Sequence, residues 1–136
     1  MPAPMYSAVT GGAVALSAAT AKSILGVKSH ANSCTLLRHA EVAFDGVTAS
    51  AVPVLVELCY ATFATNSPGT NSTSVTPAQV SGRVLTVGAT AGKTWSTEPT
   101  TLTVIEEKLL TPNGGLVIYD YPLGNEYDTA LAEGFV

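Results

Sequence analysis

The 136-residue chain is long enough for one domain with a real core and short for two. Hydrophobic residues make up 46% and charged residues 12%, against about 25% charged in an average soluble domain. With 29 Ser or Thr residues filling much of the difference, this excludes intrinsic disorder and a long-helix or coiled-coil protein. A net charge of -4 with dispersed cations speaks against nucleic-acid binding, which needs a basic patch on phosphates. No run of about 18 apolar residues exists to cross a bilayer. So few charges on so apolar a chain imply that part of its surface is covered by a partner.

Taken in order, nearly every element reads as a strand, because β-branched residues are frequent and Gly and Pro punctuate them. Residues 5–10 form the first candidate, stopped by Gly11-Gly12, and 13–17 the second. An Ala-rich piece, 17–21, has the composition of a helical turn, and residues 1–21 as a whole suit an extended N-terminal arm. Strand character returns at 22–28. Over 34–44, Leu36, Ala40, Val42 and Phe44 share one face while His39 and Glu41 share the other with Leu37 and Ala43, the alternation of a half-buried antiparallel strand. Arg38 interrupts the apolar face near a strand end, where its stem would snorkel.

Residues 52–64 are the longest candidate. Val54, Val56, Leu58 and Tyr60 line one face; Leu55, Cys59, Ala61 and Phe63 line the other, broken only by Glu57. A strand apolar on both sides is either central in a two-layer core or covered by another subunit. Residues 66–79 read as a loop, with Pro68-Gly69 as its turn. A short strand follows at 83–87, then an irregular stretch, 88–99, with the single Trp, Trp95. Residues 101–110 are a strand, Thr111-Pro112-Asn113-Gly114-Gly115 the strongest turn, and 116–121 its expected hairpin partner. Another turn at 122–125 leads to a last strand at 130–136. About eight strands at this spacing, without intervening helices, predict one all-β domain over 1–136: an antiparallel two-sheet sandwich of jelly-roll type.

Charge is unevenly spread. Residues 1–97 hold five cations and three acids, a net +2, whereas 98–136 hold Lys108 and seven acids, a net -6. This is either a solvated acidic edge or one half of a head-to-tail contact between subunits. No Lys or Arg precedes Lys22, so the charged start of a secretory signal is missing and the chain is expected to stay in a cytoplasm. Cys34 and Cys59 fit no metal or redox spacing and read as two small hydrophobes, with a disulfide between them as the alternative.

Reactive constellations are hard to find. His39 beside Glu41 is a carboxylate–histidine pair with no adjacent nucleophile. His30, Cys34, His39 and Cys59 match no zinc motif. Glu106 and Glu107 are strand neighbours and point to opposite faces, so they cannot share a substrate. Asp120, Glu126 and Asp128 surround a turn and offer oxygen ligands for calcium, though the EF-hand spacing is absent. No enzymatic activity, cofactor or metal is expected. Trp95 with Tyr119, Tyr121 and Tyr127 would offer stacking surfaces to a sugar, or else is ordinary core and interface material.

Four stretches together resemble small proteins encoded in tailed-phage and prophage structural gene clusters. They are TAKSILGVK (20–28), FDGVTASAVPVLVEL (44–58), ATNSPGTN (64–71) and LTPNGG (110–115). The resemblance covers most of the chain and carries no catalytic signature. It implies a jelly-roll virion component, assembled in the host cytoplasm, that decorates or cements a capsid. It also implies a homo-oligomer, with a trimer expected, bound to the major capsid protein or another virion protein, and no partnership with nucleic acid or membrane. The expected interface comprises Leu55, Glu57, Cys59, Ala61, Phe63, Asn66, Pro68 and Trp95. The rival reading is a carbohydrate- or receptor-binding sandwich of a phage tail or head fibre, working through Trp95 and nearby tyrosines.

Overall fold

The computed structural model describes residues 3–47 and 50–136. Met1 and Pro2 of the expected arm, and Thr48 and Ala49 of the second resembling stretch, lie outside them. The fold is all-β with every pairing antiparallel, and no helix forms among the described residues. Among the described residues twelve strands replace the expected eight or so, chiefly because regions rich in Ser, Thr and Gly hold short strands that show no hydrophobic alternation.

A six-stranded sheet is the main layer. Its order is β6 (Thr73–Val75), β8 (Thr90–Lys93), β2 (Leu25–Lys28), β12 (Gly134–Phe135), β5 (Val54–Ala61) and β9 (Leu102–Leu110). Pro53 falls just before β5, where no ladder hydrogen bond is lost. The second layer is made of β4 (His39–Ala43) with β10 (Leu116–Asp120), and β3 (Leu36–Leu37) with β11 (Tyr127–Asp128). Val56 and Leu58 of β5 pack against Val117 and Tyr119 of β10, with Leu37, Ala40, Val42, Phe44 and Leu110 around them. This is the core between the two layers.

The 101–121 region departs from expectation. Strands β9 and β10 are not hairpin partners: β9 pairs with β5, and β10 pairs with β4. The 111–115 turn, closed by the Gly115 N–H donating to the Thr111 carbonyl at 2.9 Å, carries the chain from one layer to the other. Glu106, Lys108 and Leu110 share the face of Val54, Val56 and Leu58. The two strands thus lie in different layers, with Val56 and Leu58 buried against Val117 and Tyr119. The predicted 34–44 strand is split at Arg38, whose carbonyl accepts from the Tyr121 N–H at 2.9 Å.

The expected strands at 13–17 and 83–87 do not form, and the helical turn at 17–21 is reduced to a bend of chain at Ala18 and Ala19. Conversely, the 66–79 loop contains β6 and leads into β7 (Ala78–Ser81), and the irregular 88–99 stretch contains β8. Strand β1 (Met5–Ser7) pairs with β7 outside the main sheet. Between β1 and β2 the chain has no strand, and none of residues 3–21 is buried. Its anchors are polar and few: the Tyr6 hydroxyl donates to the Leu85 carbonyl at 2.9 Å, and the Lys93 ammonium donates to the Thr10 carbonyl.

Candidate interface

Register decides which expected interface residues reach the surface. On β5, alternate residues share a face, so Leu55, Glu57, Cys59 and Ala61 stand together, opposite Leu109, Glu107, Val104 and Leu102 of β9. A bulge lies in β9 between the partners of Leu58 and Cys59, and Ile105 is the extra residue. It switches the phase of β9, so that Leu102 and Val104 join Glu107 and Leu109 on one face. Leu55, Leu102, Val104 and Leu109 are all exposed.

The far end of this face is closed by the chain itself. Trp95 is 0% exposed and packs with Ala61, Phe63 and Val136. Cys59 is buried too, and burial followed by the neighbouring Glu57 carboxylate pushes its thiol pKa up. The expectation that Cys59, Ala61, Phe63 and Trp95 contact a partner is therefore corrected. Their apolar alternation reports a second small core on the outer face of β5, under the loops at 62–72 and 94–101. Of the eight expected interface residues, Leu55 and Glu57 remain exposed, and Asn66 and Pro68 are half-buried.

Asn66 holds Trp95 in place. The Asn66 carbonyl accepts from the indole N–H at 2.7 Å, and its side-chain amide donates to the Glu98 carbonyl at 2.9 Å. Asn71 donates to Asn66 Oδ1 at 2.8 Å. Pro68 sits against β8, its Cα 3.1 Å from where a side chain on Gly92 would begin. Two hydroxyl pairs, Thr62–Thr101 at 2.6 Å and Thr65–Thr100 at 2.7 Å, tie the loops together. From the other side, Lys22 donates to the Trp95 carbonyl at 2.5 Å and lies 3.3 Å from Glu98, which also accepts from the Ser23 N–H at 2.8 Å. An indole enclosed in this way offers no ring face for a sugar to stack on.

Several other titratable groups make structural contacts. Tyr121 donates to Glu106 Oε1 at 2.7 Å and Tyr127 to the same atom at 3.4 Å, with the two rings packed edge to face at 4.7 Å. Burial, then the Glu106 carboxylate, raises the Tyr121 pKa well above its ordinary value. Lys108 lies over the Tyr119 ring at 5.3 Å. Exposed His39 stands between Glu41 at 3.6 Å and its cross-strand partner Asp120 at 3.5 Å. Glu126 accepts from the Gly124 N–H at 2.6 Å and lies 4.0 Å from Arg38. Among the described residues, no three or more His, Cys, Asp or Glu side chains are grouped as a metal ion would need.

Sequence reading reached one strand of the exposed face and missed the other. Leu102, Val104, Glu107 and Leu109 were read only as part of a strand, because the bulge at Ile105 conceals that they lie on one side. The apolar spacing on either side of Glu106 carried the signal, two residues within each half and an odd step between them. Comparison of the chain with protein-family models, curated proteins and solved structures returned no significant match.

Proposed function

We propose that this chain is a non-enzymatic structural subunit, assembling with copies of itself and seated on a larger protein lattice, of the kind that decorates a phage capsid. One observation carries the assembly. The chain exposes 8161 Å², whereas a compact monomer of 13.9 kDa exposes about 6,700 Å² by the usual mass scaling. The excess of about 1,500 Å² is of the order that one subunit hides when it uses two faces of about 800 Å² each.

Its chemistry agrees with that use. Met5, Val9, Leu16, Leu55, Val80, Val84 and Leu109 are among the large apolar side chains left in water. The strandless arm over residues 8–24 is uncharged up to Lys22. Ordering such a segment costs about 1–2 kcal/mol per residue in backbone entropy, and a chain that buries none of residues 3–21 offsets little of it alone. A neighbouring subunit supplies the missing burial. The capsid as lattice rests on the resemblance of the four stretches described above.

Sedimentation equilibrium over a hundredfold concentration range tests the first half. A discrete oligomer is expected, and a monomer throughout defeats the proposal. Co-sedimentation with phage capsids stripped of their surface proteins tests the second half, with saturable binding expected.

A further inference from the structure

Glu57 and Glu107 face each other directly across β5 and β9. Opposed residues on antiparallel strands have Cβ atoms about 4.5–5.5 Å apart, and like charges there destabilise the sheet. Both side chains are exposed, and neither forms an ion pair among the described residues. The rungs on either side are apolar: Leu55 with Leu109, and Cys59 with Val104. An acidic rung in a greasy ladder fits one cation carried on an apolar segment.

Most of the chain's own cations are engaged. Lys22 is held by Glu98 and the Trp95 carbonyl, Lys93 by the Thr10 carbonyl, Arg38 lies near Glu126, and Lys108 lies over Tyr119. Lys28 is half-buried within the central sheet. Arg83 is exposed with no ion pair among the described residues, and its neighbours Val80, Val84 and Leu85 are exposed too, Val84 at 89%. Arginine presents a planar fork that satisfies two carboxylates at once.

We infer that a second copy of this chain docks on the β5–β9 face and places its Arg83 between Glu57 and Glu107, with Val80 and Val84 against Leu55 and Leu109. This rests on the proposed self-assembly and names its contact. Donor and acceptor are different patches, so the contact runs head to tail, and each subunit uses two faces. A standard contact buries about 800 Å² of each partner, so the two faces of one subunit together hide about as much as the excess surface of about 1,500 Å². The contact also joins a cation of the basic half of the sequence to Glu107 of the acidic half.

The test is sedimentation equilibrium of the full chain, of Arg83→Glu, of the double variant Glu57→Arg/Glu107→Arg, and of all three changes combined. All three positions are on the surface, and near-UV circular dichroism confirms that each variant is folded. Arg83→Glu and the double variant should each weaken association by roughly a hundredfold. The combined variant, with both charges reversed, should return to within about tenfold of the parent. Association unchanged in Arg83→Glu, or unrescued in the combined variant, overturns this contact while leaving self-assembly standing. A parent chain that is monomeric throughout removes both.

Discussion

The Trp95 ring lies so close over Gly26 that a methyl group on that glycine would stand 2.8 Å from Cη2, with Val136 at 3.1 Å and the Phe135 carbonyl at 3.4 Å. The ring cannot retreat, because its N–H is fixed to the Asn66 carbonyl and its surface is wholly covered. Gly26→Ala should therefore cost about 1–3 kcal/mol, the usual range for overpacking. The smaller ring of Trp95→Phe makes room for that methyl, so the double variant should lose less than the two single losses added together. Urea unfolding followed by far-UV circular dichroism gives all three values. Additive losses would mean that the contact is not tight.

Trp95 is the single tryptophan, so its fluorescence reports one site. Full burial predicts a blue-shifted emission that acrylamide quenches poorly until the chain unfolds. Simple sugars should leave it unchanged, since no ring face is open to stacking. Ready quenching in the native state would restore the sugar-binding reading. Trp95→Ala should cost about 3–5 kcal/mol, as for other large core aromatics.

The two cysteines differ in access. Cys34 is exposed and free, Cys59 buried and free. Burial and then Glu57 raise the Cys59 pKa, which lowers the thiolate fraction that reacts. Ellman's reagent should therefore titrate one thiol per native chain and two in denaturant, and Cys34→Ser should abolish the native reaction. Two fast thiols in the folded protein would contradict the closed outer face of β5.

Alkali should weaken the core between the layers. Tyr119 is raised in pKa by burial, then by Glu106 and Cys59; Tyr121 is raised by burial, then by its bond to Glu106. Below the unfolded value near 10, both phenols are neutral in either state, and the stability they support is fully present. Above it the unfolded chain releases protons that the folded chain keeps, so stability falls with rising pH by about 1.4 kcal/mol per unit for each such tyrosine. The loss continues until pH passes the folded values. Absorbance at 295 nm should show these two phenols ionising at higher pH in the folded chain than in the unfolded one. Tyr121→Phe should make the decline shallower.

What could be read in advance was what strand periodicity encodes. The two faces of β5 follow directly from alternation, and β9 and β10 were located by apolar runs around the 111–115 turn. Pairing was not legible, because a strong turn fits a hairpin and a crossover between layers equally well. Composition also hid strands: β6, β7 and β8 are built mostly from Ser, Thr, Gly and Ala, whose side chains carry little hydrophobic alternation. The interface expectation failed at Cys59, Ala61, Phe63 and Trp95 for a related reason. Two-sided apolarity shows that something covers a strand, and cannot distinguish a loop of the same chain from another subunit. The acidic rung needed the register itself, since Glu57 and Glu107 are fifty residues apart.

The most sensitive joint in the fold is β12. Gly134 and Phe135 are bonded to β2 on one side and β5 on the other, and the Val136 N–H and carbonyl exchange hydrogen bonds with Cys59 at 2.9 and 2.8 Å. These few residues join the two halves of the six-stranded sheet. A Cβ on Gly134 would overlap the Val27 carbonyl oxygen and crowd Lys28 Cα. That obstacle is backbone on a central strand, with no rotamer to relieve it. Gly134→Ala should therefore destabilise more than Gly26→Ala, whose obstacle is partly side chain. Deleting residues 134–136 should leave β2 and β5 with unpaired edges and abolish cooperative unfolding. Native-state hydrogen exchange offers the finer check: the amides of Val27, Tyr60 and Phe135 should exchange together. Independent exchange of the β2 and β5 halves would show that β12 does not couple them.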